Sequence, residues 1–380
     1  MARAVTWDTL RELAGFRASK GCAITLYVGL DASVAPTAAD VATRVNSLLS
    51  EAERSENATR EGLSHDQRQG LRADFERIRR WFDDEFERDG TQGVALFACG
   101  PDGVWAPLPL AVTVADDVVV ADRFRLAPLV PLVGRADGAV VAVVGRERGE
   151  VFELRAGRLR ELADLTEEQP GQHDQGGWSQ ARYQRHIDEL VAEHWRTVAE
   201  TLDRVVRQRN GVPVVIVCAE EMRGEFGELL SQETRDAMAG WTQAEAHAGS
   251  PELLEAARPV FEQWRAAQEA QALGRWREEA GRDGRAAAGW RETLEAASDG
   301  RVELLLFQPG ASREAWQCPQ CGRGSTEDGG CPLDGTPMER RESGLDVAVH
   351  QTLAHGGTAR AVEHNRDLDP AEGIGALLRF

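Results

Sequence analysis

The chain has 380 residues, 42% of them hydrophobic and 28% charged, with 44 basic against 63 acidic side chains and a formal net charge of −19. That length exceeds one small core and implies two or three domains, the composition is that of an ordinary globular protein, and the acidic balance excludes non-specific coating of nucleic acid, which needs a strongly basic face. No apolar run approaches the roughly 20 residues that span a bilayer and the first fifteen or so residues carry no signal-peptide core, so a cytoplasmic protein with no membrane partner is expected.

In chain order, residues 23–28 read as a strand, 39–53 and 66–87 as amphipathic helices, Gly93–Cys99 as a second strand, and 117–120 as the strand closing a first unit. A second unit opens with the apolar run 138–144 and its partner 150–154, a hairpin turning at 146–149. Then comes Gly176-Gly177-Trp178-Ser179-Gln180-Ala181-Arg182-Tyr183-Gln184-Arg185, a glycine turn feeding a long helix. Ser179 is suited to cap that helix, whose apolar positions Ile187, Leu190, Val191, Trp195, Val198, Leu202, Val205 and Val206 keep a 3.6-residue period. Residues 212–217 read as a buried strand, and 251–279 as an alanine-rich helical connector. A third unit begins near Gly281, with a helix at 290–298, strands at 301–307 and 344–349, and the glycine-spaced ending Gly373-Ile374-Gly375-Ala376-Leu377-Leu378-Arg379. The reading is three α/β domains, residues 1–130, 131–270 and 271–380.

The glycine turn is the most chemically suggestive of these segments. Adjacent glycines free the backbone, and the positive end of the helix dipole favours approach to phosphate or ester oxygens. From His173 to Ile187 there are two arginines, two histidines and one acid, Asp174, so the segment is locally more basic than the chain. Lys20 is the only lysine, and the absence of a Gly-Lys-Ser/Thr sequence excludes a Walker P-loop.

Of the six cysteines, Cys22, Cys99 and Cys218 sit in apolar strand-like contexts and are expected to be buried structural thiols. The other three form Cys318-Pro319-Gln320-Cys321 and Cys331-Pro332-Leu333-Asp334. That is a zinc-ribbon pattern in a loop insertion, spanning 316–340, with aspartate as the fourth ligand. Thiolate and carboxylate both ligate zinc, and a closed site of four protein ligands is structural, with no open position for water.

Taken together, these motifs resemble the class I release factor and Pelota superfamily of archaea and eukaryotes. Its bacterial branch is related to peptidyl-tRNA hydrolases and the hibernation factor Balon. The run Thr37-Ala38-Ala39-Asp40-Val41-Ala42-Thr43-Arg44-Val45-Asn46 lies where release factors carry Thr-Ala-Ser-Asn-Ile-Lys-Ser-Arg-Val-Asn. The family's codon-reading lysine is Ala42 here and its neighbouring asparagine is Asp40, so stop-codon reading is not expected. The glycine segment resembles the family's Gly-Gly-Gln-Ser-x-x-Arg-Phe-x-Arg signature, with Trp178 in place of the glutamine. Gly289-Trp290-Arg291-Glu292-Thr293-Leu294, the cysteine insertion and the glycine-spaced ending resemble the C-terminal domain.

The resemblance implies three α/β domains in release factor/Pelota order and two functions. One is a ribosome-dependent rescue factor that hydrolyses the peptidyl-tRNA ester, with Gly176, Gly177, Trp178 and Gln180 at the ester. The other is a non-catalytic A-site-binding hibernation factor using the same tip as a plug. In either case Arg182, Arg185 and Arg44 would meet RNA phosphates. Gln180 is either a displaced catalytic amide or an ordinary polar residue of the first turn; Trp178 is either a base-stacking wedge or an anchor for the tip. The implied partners are rRNA, peptidyl-tRNA and a translational GTPase, and the implied cofactor is structural zinc.

Overall fold

The computed structural model describes residues 5–31, 33–55, 62–88, 91–133, 138–155, 157–166, 178–209, 212–282 and 284–380, the side chains of 178–184 excepted. The chain divides into two compact units, one made of Met1–Val133 with Gln268–Phe380, the other of Gly134–Ala267. The first and third of the expected segments thus pack together, each keeping a sheet of its own.

The N-terminal segment holds α1 (Trp7–Gly15), β1 (Ala23–Gly29), α2 (Ala38–Arg54), α3 (His65–Arg80), β2 (Gly93–Cys99), β3 (Val104–Leu110) and β4 (Asp117–Ala121). Its antiparallel sheet has the order β3-β2-β1-β4. Both long helices start on capping boxes, Thr37 with Asp40 and Ser64 with Gln67, each side chain bonding the other's backbone N–H. β1 is buried on both faces. Ile24, Leu26 and Val28 pack under α2 and α3, while Ala23 and Tyr27 enter a second core shared with the C-terminal segment. Such a strand reads as a continuous apolar run, the form in which the sequence presents it.

The second unit has β5 (Val140–Val144), β6 (Gly149–Arg155), β7 (Arg158–Asp164), α4 (Trp178–Gln208), β8 (Val214–Val217), α5 (Arg223–Leu229), α6 (Gln232–Ala237) and β9 (Met238–Thr242). The sheet order is β7-β6-β5-β8-β9, parallel across β5, β8 and β9. α4 covers one face; Leu253, Ala257 and Phe261 at the start of α7 (Ser250–Ala280) cover the other. Further along α7, Ala272, Leu273 and Trp276 join a core of the first unit. One helix serving two cores has no single apolar stripe, which is why its sequence reads only as an alanine-rich connector.

The C-terminal segment adds β10 (Ala286–Ala288), α8 (Gly289–Ser298), β11 (Val302–Phe307), a ribbon of β12 (Ala315–Gln317), β13 (Gly324–Ser325) and β14 (Glu339–Arg341), then α9 (Gly344–Ala354), β15 (Thr358–Ala361) and β16 (Ile374–Leu378). Residues 344–349, expected as a strand, are the first turns of α9. Ser343 caps this helix, and every residue from Gly344 to Leu353 except Asp346 is buried. An all-round buried helix shows no amphipathic period, so the alternation of Leu345, Val347 and Val349 mimics a strand. Asp346 accepts the N–H groups of Leu126 and Ala127, both at 2.9 Å, and so fastens the C-terminal segment to the start of a 3-10 helix in the N-terminal one.

The glycine-spaced ending has a packing explanation. Gly373 turns with φ +78°, and a Cβ on Gly375 would stand 2.7 Å from the indole nitrogen of Trp276. That indole donates to the carbonyl of Ala287 at 3.0 Å, so Gly375 is where the α7 tryptophan lies against the sheet.

Candidate functional site

Gly176 and Gly177 lie outside the described residues. α4 begins at Trp178, so Ser179 stands inside the first turn rather than before it. Arg185 and His186 are exposed, and Ile187 is the first described side chain of α4 to pack on the core. Nine residues separate it from Trp178, about 14 Å of helix at 1.5 Å per residue.

Helical register sorts the candidate residues. At about 100° per residue, positions 182 and 185 fall within about 40° of 178, whereas 180 is about 200° away. Val198 and Leu202 are also about 200° and 240° from 178 by the same count, and both are fully buried. The positions of Trp178, Arg182 and Arg185 therefore form one stripe opposite the core. Gln180 lies in line with the buried stripe.

The root of the helix is firmly held. Trp195, 8% exposed, donates its indole N–H to the carbonyl of Gly145 at 2.8 Å, between β5 and β6. His194 is 2% exposed, and neither ring nitrogen has a hydrogen-bond partner among the described residues. Its ring lies on Gly149, where a Cβ would come within 2.8 Å of the His194 Cε1 and 2.6 Å of the Val198 Cγ2.

Arg44 pairs with Asp116, whose other carboxylate oxygen accepts the N–H of Gly29 at 2.8 Å. Asp40 is likewise engaged, its carboxylate bonding the hydroxyl of Thr37 at 2.6 Å and its N–H at 2.9 Å. Those hydrogen bonds hold the Asp40 carboxyl below its ordinary value. At these two positions the side chains fasten the start of α2.

The cysteine cluster converges. One donor atom from each of Cys318, Cys321, Cys331 and Asp334 lies within 4.8 Å of all the others. The sulfurs of Cys321 and Cys331 are 3.5 Å apart, and Cys318 is 3.5 Å from the nearer Asp334 oxygen. Tetrahedral zinc with Zn–S about 2.3 Å and Zn–O about 2.0 Å requires about 3.8 Å and 3.5 Å for these edges. The donor set fits. Desolvation works to raise the Cys318 thiol, but the N–H groups of Cys321 and Gln320 and the neighbouring thiols hold it below its usual value. Partial desolvation and the adjoining sulfurs push Cys321 up to about 11. Cys22, Cys99 and Cys218 are buried, as expected.

The backbone around Asp102 was not legible in the sequence as a site. Its carboxylate accepts the N–H groups of Ser19 (3.1 Å), Lys20 (3.0 Å) and Gly21 (3.0 Å), the Ser19 hydroxyl (2.5 Å) and the Cys99 thiol (3.2 Å). Desolvation raises this carboxyl, yet the donors outweigh it and hold it far below the carboxylate range. The sequence signal is only a Gly-Pro-Asp-Gly turn; the backbone N–H groups it gathers come from 81 to 83 residues away.

Residues 125–262 match the profile of Bacterial archaeo-eukaryotic release factor family 10, a span that includes all of α4. That span of the chain is similar to bacterial relatives of the archaeo-eukaryotic release factors. A Peptide chain release factor subunit 1 from Archaeoglobus fulgidus is 26% identical over 281 residues, 68% of this chain and 69% of that protein. The same-named protein of Methanobrevibacter smithii is 26% identical over 53% of this chain, which spans about half of that relative's length (51%). Among solved structures, an archaeal translation termination factor covers 99% of this chain and 98% of its own at 17% identity and a TM-score of 0.27. By its sequence likenesses the chain is release factor-like, and it has α/β segments with the cysteine ribbon in its C-terminal one. No described helix is long and apolar enough to cross a membrane.

Proposed function

We propose that this protein is a ribosome-associated translation factor of rescue or quality control, which works in the cytoplasm and brings the start of α4 to peptidyl-tRNA without reading a stop codon. The observation that carries the reading is the register of α4. The positions of a tryptophan and two arginines share the stripe opposite the core, in the segment whose sequence resembles the release factors' glycine signature. Arginines at i and i+3 suit RNA phosphates, and an indole suits stacking on an unpaired base. Segments 1–130, 131–270 and 271–380 are the working modules in this reading, and a translational GTPase is the delivery partner.

Chemically, ester hydrolysis requires a placed water and donors for the developing oxyanion. The backbone N–H groups at Gly177 and Trp178 are the proposed donors. Gln180 supports a helix-facing role rather than replacement of the family glutamine, because its position is half a turn from Trp178. That same register favours a second reading, a hibernation factor of Balon type in which Trp178 plugs the site without hydrolysis. Arg44 is proposed as an RNA contact only where its pairing with Asp116 is exchanged for phosphate.

Cys318, Cys321, Cys331 and Asp334 are proposed to hold structural zinc. The metal would cross-link the ribbon where no large apolar core exists, Cys318, Cys331, Met338 and Trp316 being its small apolar cluster.

Release of labelled peptide from stalled ribosomal complexes separates the two readings. Under the rescue reading the wild type releases peptide, and Trp178→Gln, which restores a Gly-Gly-Gln sequence, releases more. Under the hibernation reading the wild type binds without release. A wild type that neither binds nor releases sinks both.

A further inference from the structure

Within the first unit a cavity of about 750 Å³ is lined by Val119, Val120 and Ala121 of β4 and by Glu339, Arg340 and Arg341 of β14. Both are terminal strands. β4 ends the order β3-β2-β1-β4, and β14 ends the ribbon order β13-β12-β14. Two sheet edges therefore bound one space.

The edges of the N-terminal sheet differ in their protection. β3 carries Pro107 and Pro109, residues that remove main-chain donors and blunt an edge. β4 reads Asp-Val-Val-Val-Ala, with neither proline nor lysine. A strand of that composition is a template for main-chain pairing. Behind it Phe124, Val347 and His350 contribute to the lining, and the His350 nitrogens lie 2.6 Å from the Phe124 carbonyl and 3.3 Å from that of Ala14.

The charges of the cavity are mostly spoken for. Arg17 and Arg341 converge on Asp122 at 3.2 and 3.0 Å, Arg125 pairs with Asp117 and Asp346, and Arg340 with Glu314. Among the described residues two lining charges have no ion pair, the exposed Glu342 at the rim and Arg123. Arg123 is half-buried and donates to the carbonyl of Ala14 at 3.3 Å; Asp122 acts on it electrostatically, but no carboxylate of the described residues forms an ion pair with it. A partly desolvated guanidinium favours an incoming carboxylate, which it binds by charge-assisted hydrogen bonds.

We propose that this groove receives an extended, acid-bearing segment of a partner protein as an added strand, its main chain on the free edge of β4 and its carboxylate on Arg123. Strand addition of this kind takes affinity from main-chain hydrogen bonds and specificity from alternate side chains. The proposal is independent of what the start of α4 does.

The test uses the full chain and an acetylated, amidated pentapeptide of sequence Val-Glu-Val-Glu-Val, read by hydrogen exchange of residues 117–123 and by anisotropy of a labelled copy. The expected result is at least about tenfold slower exchange in that segment, a change of about 1.4 kcal/mol. Replacing the peptide's central valine by proline should abolish the effect. Arg123→Glu should weaken binding of the acidic peptide at least tenfold, and the same peptide with lysine for glutamate should bind Arg123→Glu better than wild type. If Arg123→Glu lacks native circular dichroism, Arg123→Gln carries the charge test with the acidic peptide. Absence of protection at saturating peptide, equal binding of the proline peptide, or equal affinity of wild type and charge variant would overturn the proposal. So would the same protection from inorganic phosphate or a uridine oligonucleotide, which would make the groove an anion or RNA site.

Discussion

The start of α4 and the cysteine ribbon carry the two chemical motifs of this chain, and they are built in opposite ways. In the ribbon, four donors spread over 17 residues meet within 4.8 Å and complete a site with their own atoms. At the start of α4, Trp178 lies about 14 Å before Ile187, the first described side chain of the helix to pack on the core. The ribbon's donors meet within the chain; for the tip, the proposed partner is elsewhere. The first kind of motif shows its chemistry as convergence, the second only as register. Mutations should accordingly cost structure at the ribbon and at the root of α4, and binding at its start.

The largest effect is expected at the ribbon. Purified, unchelated protein should contain one zinc per chain, and Cys318→Ser should lose it, with hydrogen exchange in residues 315–341 rising to near unfolded rates while α4 stays protected. Metal analysis with exchange checks this, and a zinc-free wild type with a fully protected ribbon would break the contrast.

Next is the root of the helix. Trp195→Ala removes a buried indole and its bond to Gly145, and should destabilise the second unit by about 3–5 kcal/mol in denaturant unfolding. Gly149→Ala follows at about 1–3 kcal/mol, because its Cβ would press on His194 and Val198. A loss below about 0.5 kcal/mol in both would mean that α4 is not anchored as described.

A smaller effect depends on pH. The folded Asp102 carboxyl is held below its unfolded value, so its contribution to stability is present above the ordinary carboxylate range and is lost as pH falls toward the folded value. Asp102→Asn should lower stability at neutral pH and narrow the gap to wild type on acidification. A gap that stays constant with pH would show that the carboxylate's charge is not what holds residues 19–21.

Much of the fold was legible because it is local. The strand Gly93–Cys99 is a continuous apolar run, α2 starts on a Thr-x-x-Asp box, and α4 keeps its period from Ile187 to Val206. The start of α9 misled because burial on every side erased its period, and β3 was missed because its prolines argue against a strand except at an edge. That Cys318, Cys321, Cys331 and Asp334 would converge was legible from spacing alone. That Arg44 would meet Asp116, or that Asp102 would gather residues 19–21, was not. Such pairings join positions 72 and more than 80 residues apart, and no periodicity encodes them.

The central claim is that the stripe of Trp178, Arg182 and Arg185 meets ribosomal RNA while Gln180 does not. Its most direct measurement is cosedimentation with purified ribosomes across a salt series, comparing wild type, Arg182→Glu/Arg185→Glu and Gln180→Ala. The account predicts salt-sensitive binding by wild type and Gln180→Ala, and for the double variant a loss of at least about tenfold with a shallower salt slope. Equal binding by the double variant and wild type, or loss confined to Gln180→Ala, would contradict it.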